Sequence, residues 1–401
     1  MSERQPLHAH AAGAGYRPAS GAMRGLNLLL VSRSKVWETA VRSVAEDSGG
    51  GVTPCSAHEA LAYLAGSLQC HSHVLVDHAD ADGLFDELAY LALEAGSPET
   101  DMLALGAAGG GSCDMGRILE PSAGSVREAL MSGSPPRRRV AIDLAQLRVA
   151  LSGTMIENRY QPIARLADRQ LIGLEALARL NHPEFGTLLP DRFVPQIEDA
   201  GLASRLTDLV SARAFEDMAG PVLAGRGVRM SVNFPLDVLL HPAALDRLRE
   251  QQTARGIPAG RIIVELTESR PVEDFPLLRR SIDRLRGWGF GVAIDDAGPA
   301  VPWLTELLDL PFTSLKLDKD LVKQVTESEA IRRFIASTIT QGKTRGMTIV
   351  AEGVETAALW DHMRAFGADE AQGFLVARPL PLAAVPIWTE AWTASTAAGS
   401  A

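Results

Sequence analysis

From about residue 150 the chain repeats one pattern: a short apolar run, a polar or charged residue at or just after its end, then a stretch of helical character. The runs are RYQPIARL (from Arg159), LIGLEALARL (from Leu171), VRMSVNF (from Val228), RIIVELTES (from Arg261), FGVAIDDA (from Phe290), SLKLDK (from Ser314), MTIVAEGVE (from Met347) and EAQGFLV (from Glu370). Eight buried strands alternating with helices over about 250 residues predict a closed (β/α)8 barrel. In such a barrel reactive side chains gather where the strands end. The polar residues at those ends are Glu175, Asn233, Glu265, Asp295, Asp296, Lys316, Glu352 and Gln372.

Each of these residues taken alone is weak evidence, because single charged residues mostly face solvent. Together they would place several carboxylates, one asparagine and one lysine in a single barrel mouth. Buried like charges repel and raise one another's pKa unless cations neutralise them. Oxygen donors with no histidine among them suit hard divalent ions, Mg2+ or Mn2+.

The remaining sequence sets the frame. The 401 residues carry 39 Lys and Arg against 49 Asp and Glu, a net charge of −10, which argues against a DNA-binding surface. Three cysteines without close spacing give neither a disulfide framework nor a thiolate metal site. No apolar run is long enough to span a membrane, and the first residues lack the apolar region of a signal peptide, so the expectation is a cytoplasmic protein. Residues 1–23 read as a disordered arm, 24–132 as a first domain, 133–150 (with PPRRR) as a linker, 151–390 as the barrel and 391–401 as a loose tail.

In the first domain the runs LNLLLVS, HVLVDH, MLALGAA and GRILEP alternate with helical stretches, a doubly wound α/β pattern. Its order and size resemble a response-regulator receiver domain. That resemblance puts Asp77 at the phosphoacceptor position. Around it, however, Ser32-Arg33 stands where an acidic pair would hold Mg2+, Gly106-Ala107 where a hydroxyl is usual, and Glu120-Pro121 where a lysine is usual. The expectation is a degenerate receiver-like domain used for contacts with a signalling protein.

The barrel resembles the EAL domains, the cyclic-di-GMP phosphodiesterases of bacteria. The resemblance rests on GLEALARL around Glu175, YQPI from Tyr160, NHPEFG from Asn181, SVN from Ser231, ELTES from Glu265, IDD from Ile294, LKLD from Leu315, AEGVET from Ala351 and QGF from Gln372, all in family order. It implies metal-dependent hydrolysis of cyclic di-GMP to linear pGpG. Glu175, Asn233, Glu265 and Asp295 would bind one metal, and Asp295 with Asp296 would share a second. Glu352 would be the general base and Lys316 would orient the water. Arg179, on the strand face of Glu175, would bind phosphate, while Gln161, Leu177, Glu355 and Gln372 would line the substrate pocket beside Tyr160. Glu268 would brace the loop after Asp296, and related barrels pair as homodimers through that loop.

The sequence departs from the family in that loop. Where the family has DDFGTGYSSL, this chain reads DDAGPAVPWL, with prolines at 299 and 302 and without the usual aromatics and hydroxyls. Two readings therefore stand: a phosphodiesterase, weakened by the altered loop, or a catalytically inactive cyclic-di-GMP-binding or protein-interaction regulator.

Overall fold

The computed structural model describes residues 26–65, 73–81, 88, 101–105, 116–118, 121–132, 142–183, 185–267, 271–299, 301 and 303–398. The N-terminal part holds five parallel strands, β1 (Asn27–Val31), β2 (Gly51–Pro54), β3 (His73–Asp77), β4 (Asp101–Leu105) and β5 (Gly116–Ile118), in the order β2-β1-β3-β4-β5. Alternation along β1 explains why its run reads as continuously apolar. Leu28 and Leu30 face the helices Lys35–Asp47 and Ala123–Ser132 through Trp37, Val41, Val44 and Val126. Leu29 and Val31 join Leu61 and Leu64 of the helix Ala57–Ala65 in the other layer. The four apolar runs match β1, β3, β4 and β5. The short β2 has no such run. It is an edge strand, so Pro54 costs no ladder hydrogen bond on its open side.

The second part is a closed barrel. Its strands are β6 (Ile156–Arg165), β7 (Leu171–His182), β9 (Arg229–Pro235), β10 (Ile262–Thr267), β11 (Gly291–Ala297), β12 (Ser314–Leu317), β13 (Thr348–Ala351) and β14 (Glu370–Gln372), with β8 (Gly186–Leu188) folded back on β7. The sheet runs β6-β14-β13-β12-β11-β10-β9-β7 and closes through β6–β7. All eight expected strands are present, but the barrel is not uniformly parallel: β6 is antiparallel to both β7 and β14. The chain between β6 and β7 is a short turn with Arg169 at a left-handed φ of 59°. A parallel pair would need a crossover of a dozen residues or more.

Inside and outside alternate cleanly. On β9, Met230, Val232 and Phe234 are buried under the outer helices, while Arg229, Ser231 and Asn233 point into the lumen. Each large apolar side chain so buried contributes about 1.5–3 kcal/mol.

Two boundaries differ from the sequence expectation. Residues 143–150 are not linker: Leu144–Ala150 is a helix closed by a capping box between Asp143 and Gln146, with Leu147 and Ala150 in the core. Residues up to 398 are not a loose tail: the helix Ala384–Ala398 buries Trp388, and the Trp392 indole donates to the Arg169 carbonyl at 2.7 Å. Trp392 also stacks on Trp388 and meets Trp360 edge-on. The same helix packs against Ala57–Ala65, joining the two parts. No helix among the described residues is long and apolar enough to cross a membrane.

Candidate active site

The strand ends bring one lysine and four carboxylates together. Lys316, 1% exposed, sits at the centre. Its Nζ lies 2.7 Å from Glu352, 2.8 Å from Glu265, 2.8 Å from Asp295 and 3.4 Å from Glu175. Register explains the convergence: Glu265 pairs beside Asn233 across β9–β10, and Gln161 stands opposite Glu175 across β6–β7.

A chain of amides holds Glu175. Asn233 Nδ2 donates to its Oε1 at 2.9 Å and Gln372 Nε2 to its Oε2 at 2.6 Å. Gln372 Nε2 also reaches Gln161 Oε1 at 2.9 Å, and Gln161 Nε2 donates to the Ala377 carbonyl at 3.1 Å.

Asp295 and Asp296 are adjacent, so a regular strand would turn them to opposite faces. Here the β11–β12 register slips between Ile294 and Ala297, and Asp296 takes a left-handed φ of 48°. Aspartate tolerates that conformation better than most residues. The result is that one oxygen each of Asp295, Asp296 and Glu352 lie within 4.8 Å of one another. Two glycines make room nearby. A Cβ on Gly353 would sit 2.6 Å from Lys319 Cβ, and one on Gly373 would sit 2.3 Å from the Val354 nitrogen.

One ammonium cannot balance the buried Glu175, Glu265 and Asp295 together with the half-buried Glu352, and their proton affinities shift accordingly. Burial pushes Glu265 up to about 8, with the charges of Glu175 and Asp295 adding to it against Lys316. Burial also raises Asp295 and carries Glu352 well above the usual carboxylate range. Asp296 opens to solvent on one side, yet partial desolvation and the Asp295 charge raise it to about 6. Burial opposes ionisation of Glu175 too, but Lys316 and the amides of Asn233 and Gln372 outweigh it and hold its carboxyl below the usual value. Burial disfavours the Lys316 ammonium, but the surrounding carboxylates keep it protonated. Asp295 Oδ1 is buried and accepts no well-directed hydrogen bond, although the lysine charge is close. Oxygen donors in excess of positive charge fit a divalent cation.

The sequence profile of the EAL domain matches residues 144–379. The chain belongs to the EAL-domain family. Among curated relatives, the EAL region is 34% identical over 248 residues to the cyclic di-GMP phosphodiesterase NbdA of Pseudomonas aeruginosa, covering 62% of this chain and 32% of NbdA. It is 30% identical over 239 residues to the bifunctional diguanylate cyclase/cyclic di-GMP phosphodiesterase MucR of the same organism, covering 59% of this chain and 35% of MucR. This chain thus spans about a third of the length of these relatives. The solved structure of the PaMucR phosphodiesterase in complex with c-di-GMP superposes with a TM-score of 0.56 at 30% identity, covering 59% of this chain and 97% of that one. The FimX EAL domain of Xanthomonas citri, at 23% identity and a TM-score of 0.54, covering 59% of this chain and 93% of that one, shares the fold.

Within the EAL domain the other expected residues are placed as follows. Leu177 lies two residues beyond Glu175 on the same strand face and is partly exposed. Arg179 continues that face but is 2% exposed, with Nη1 donating to the Ala178 carbonyl at 2.8 Å. Glu355 stands outside the cluster, paired with Lys323 at 2.8 Å. Tyr160 is not beside the pocket: it points outward, and its hydroxyl donates to Asp217 on the helix Ala203–Ala219. Burial, together with Asp217, raises that phenol. Alternation with the inward Gln161 dictates this. Glu268 lies outside the described residues, as do positions 300 and 302 of the altered loop.

In the N-terminal sheet Asp77 ends β3. Ser32 Oγ donates to it at 3.3 Å and the Ala79 amide at 3.1 Å. A second carboxylate that the sequence comparison missed, Asp80, accepts the Arg33 amide at 2.7 Å. It follows β3 rather than β1, where a receiver's acidic pair would stand. Positions 106, 107 and 120 lie outside the described residues. The sequence reading also missed four lumenal residues of the barrel, Arg229, Ser231, Ser314 and Glu370, because they lie below the strand ends. The signal was present in β9, whose polar residues recur at every second position.

Proposed function

We propose that this EAL domain hydrolyses one phosphodiester bond of cyclic di-GMP to give linear pGpG, using Mg2+ or Mn2+. The observation that carries the reading is the convergence of Glu175, Glu265, Asp295 and Glu352 on Lys316, with Asn233 and Asp296 completing an oxygen-rich donor set. Glu175, Asn233, Glu265 and Asp295 would hold one ion, and Asp295 with Asp296 a second. Bound there, the ions would neutralise the carboxylates, lower the pKa of the attacking water and polarise the phosphate.

The chain's own groups do the rest. Glu352, at the end of a strand and fixed by the Gly353 turn, takes the proton of the water. Lys316 orients that water and offsets the charge building on phosphate. Gln161, Leu177, Glu355 and Gln372 line the substrate side, and Arg179 supplies cationic charge on the Glu175 face.

Turnover of cyclic di-GMP by the purified full chain, with Mg2+, with Mn2+ and in chelator, tests this. The expected result is pGpG with either metal and none in chelator. Turnover that persists in chelator removes the metal role. Binding in Ca2+ without turnover in Mg2+ or Mn2+ establishes the binding-only reading, which the proline-bearing loop after Asp296 favours. The N-terminal sheet, with the strand order β2-β1-β3-β4-β5, supports a receiver-like module that contacts a signalling partner, and the family resemblance supports a homodimer.

A further inference from the structure

Beneath the acidic cluster the barrel lumen holds a second polar layer. The inward side chains are Arg229 and Ser231 on β9, Ser314 on β12 and Glu370 on β14. With apolar positions of the other strands they line a cavity of about 20 Å³ whose roof is Glu265 and Lys316. Arg229 and Glu370 make an ion pair of 2.6 Å at its floor. Their strands are not neighbours, since β6 and β7 lie between them, so the pair is a strut across the lumen. Burial raises the Glu370 carboxyl against the pull of Arg229.

Two features identify what this space suits. Ser231 and Ser314 are both buried residues, and both line this space. Buried hydroxyls are as a rule satisfied, by water where protein offers nothing. The wall pairs Arg229 with Glu370 and Lys316 with Glu265, so each cationic group already has a carboxyl partner and a neutral occupant is favoured over an ion. A volume of this size accepts about one or two water molecules.

We propose that this cavity is an internal water site, hydrogen-bonded to Ser231 and Ser314, through which the Arg229–Glu370 strut positions Glu265 and Lys316 from below. Ser231, Ser314, Arg229 and Glu370 are positioning residues that touch no substrate. The part of the test that reads catalysis rests on the hydrolase reading; the part that reads structure does not.

A high-resolution crystal structure of the full chain should show ordered water within hydrogen-bond distance of Ser231 Oγ and Ser314 Oγ. A cavity without density, or one filled by a side chain, overturns the site. Ser314→Val fills the cavity and removes the hydroxyl. It should lower kcat for cyclic di-GMP about tenfold with KM within about twofold, and weaken Mn2+ binding at least about threefold, while Ser314→Thr restores most of both. A folded Ser314→Val chain with unchanged kcat and unchanged Mn2+ affinity overturns the positioning role. If Ser314→Val does not fold, Ser231→Ala is read by the same two measurements. Should the wild-type chain bind but not hydrolyse the dinucleotide, the hydrolase reading fails alone, and water density with Mn2+ affinity still decides this one.

Discussion

Freed of divalent cations, this protein should lose stability as pH rises from about 4.5 to about 8, and Glu265 should carry a large part of the loss. Glu265 ionises near 4.5 in an unfolded chain and near 8 in the fold. Between those values the folded state binds a proton that the unfolded state has released, so unfolding becomes easier as pH increases. At 1.36 kcal/mol per pH decade, the fully developed penalty is about 5 kcal/mol above pH 8. Asp295 and Glu352 add in the same direction. Glu175 acts oppositely: its lowered carboxyl contributes stability that is present above its unfolded value and lost as pH falls through its folded one. The assay is urea unfolding in chelator at pH 5, 6, 7 and 8, followed by the fluorescence of the barrel tryptophans Trp288, Trp303, Trp360, Trp388 and Trp392. Glu265→Gln keeps shape and removes the charge, so the difference between wild type and variant isolates the linkage. The wild type should fall relative to the variant by several kcal/mol across the window, and Mg2+ should restore it far more at pH 8 than at pH 5. A wild type that gains on the variant with pH, or a cation effect equal at both ends, would refute the electrostatic account.

Glu352→Gln should cut turnover by about 10²–10⁴-fold while cyclic di-GMP binding in Ca2+ stays within a few-fold, read by product formation and calorimetry. Gly353→Ala, at a φ of 64° and against Lys319, should destabilise the barrel by at least about 1 kcal/mol, measured by thermal unfolding, and lower turnover as Glu352 shifts. Trp392→Phe keeps most of the aromatic packing and removes the donor to Arg169, so it should cost about 1 kcal/mol in urea unfolding; no loss would detach residues beyond 390 from the barrel core.

The strand-end residues were legible because a barrel rule links position to chemistry: a polar group closing an apolar run points to the mouth. Glu175, Asn233, Glu265, Asp295, Lys316, Glu352 and Gln372 all obey it. What escaped the sequence depends on context that a run of residues does not carry. The resemblance puts Tyr160 near the substrate pocket, yet parity with Gln161 sends it outward to Asp217. Helix Leu144–Ala150 is only 7 residues long and follows a proline- and arginine-rich stretch, so its composition reads as linker until Leu147 and Ala150 are seen in the core. Ala384–Ala398 ends in small residues that read as tail, but its tryptophans fix it to the turn at Arg169. The antiparallel β6 follows from a connection too short for a crossover, a constraint of length rather than of pattern.

The loop after Asp296 shows how far motif loss and geometry can separate. Its prolines and missing hydroxyls are departures that on sequence alone argue against a working second metal position. Yet the carboxylates are aimed by what precedes the prolines. The register slip at Ile294–Ala297 and the left-handed Asp296 lie before the first proline, and the Asp318 amide donates to the Ala297 carbonyl at 3.2 Å, tying that turn to the end of β12. Gly298 then passes against Asp318, where an added Cβ would meet its Cβ at 3.5 Å. The turn that sets Asp295 and Asp296 is therefore anchored to the same strand that carries Lys316, independently of the residues the family would place further along. Under the proposed hydrolysis, loss of activity through this loop would arise away from the carboxylates, and kinetics distinguish that from ligand loss: the first leaves divalent cation affinity intact while turnover falls, and the second lowers both.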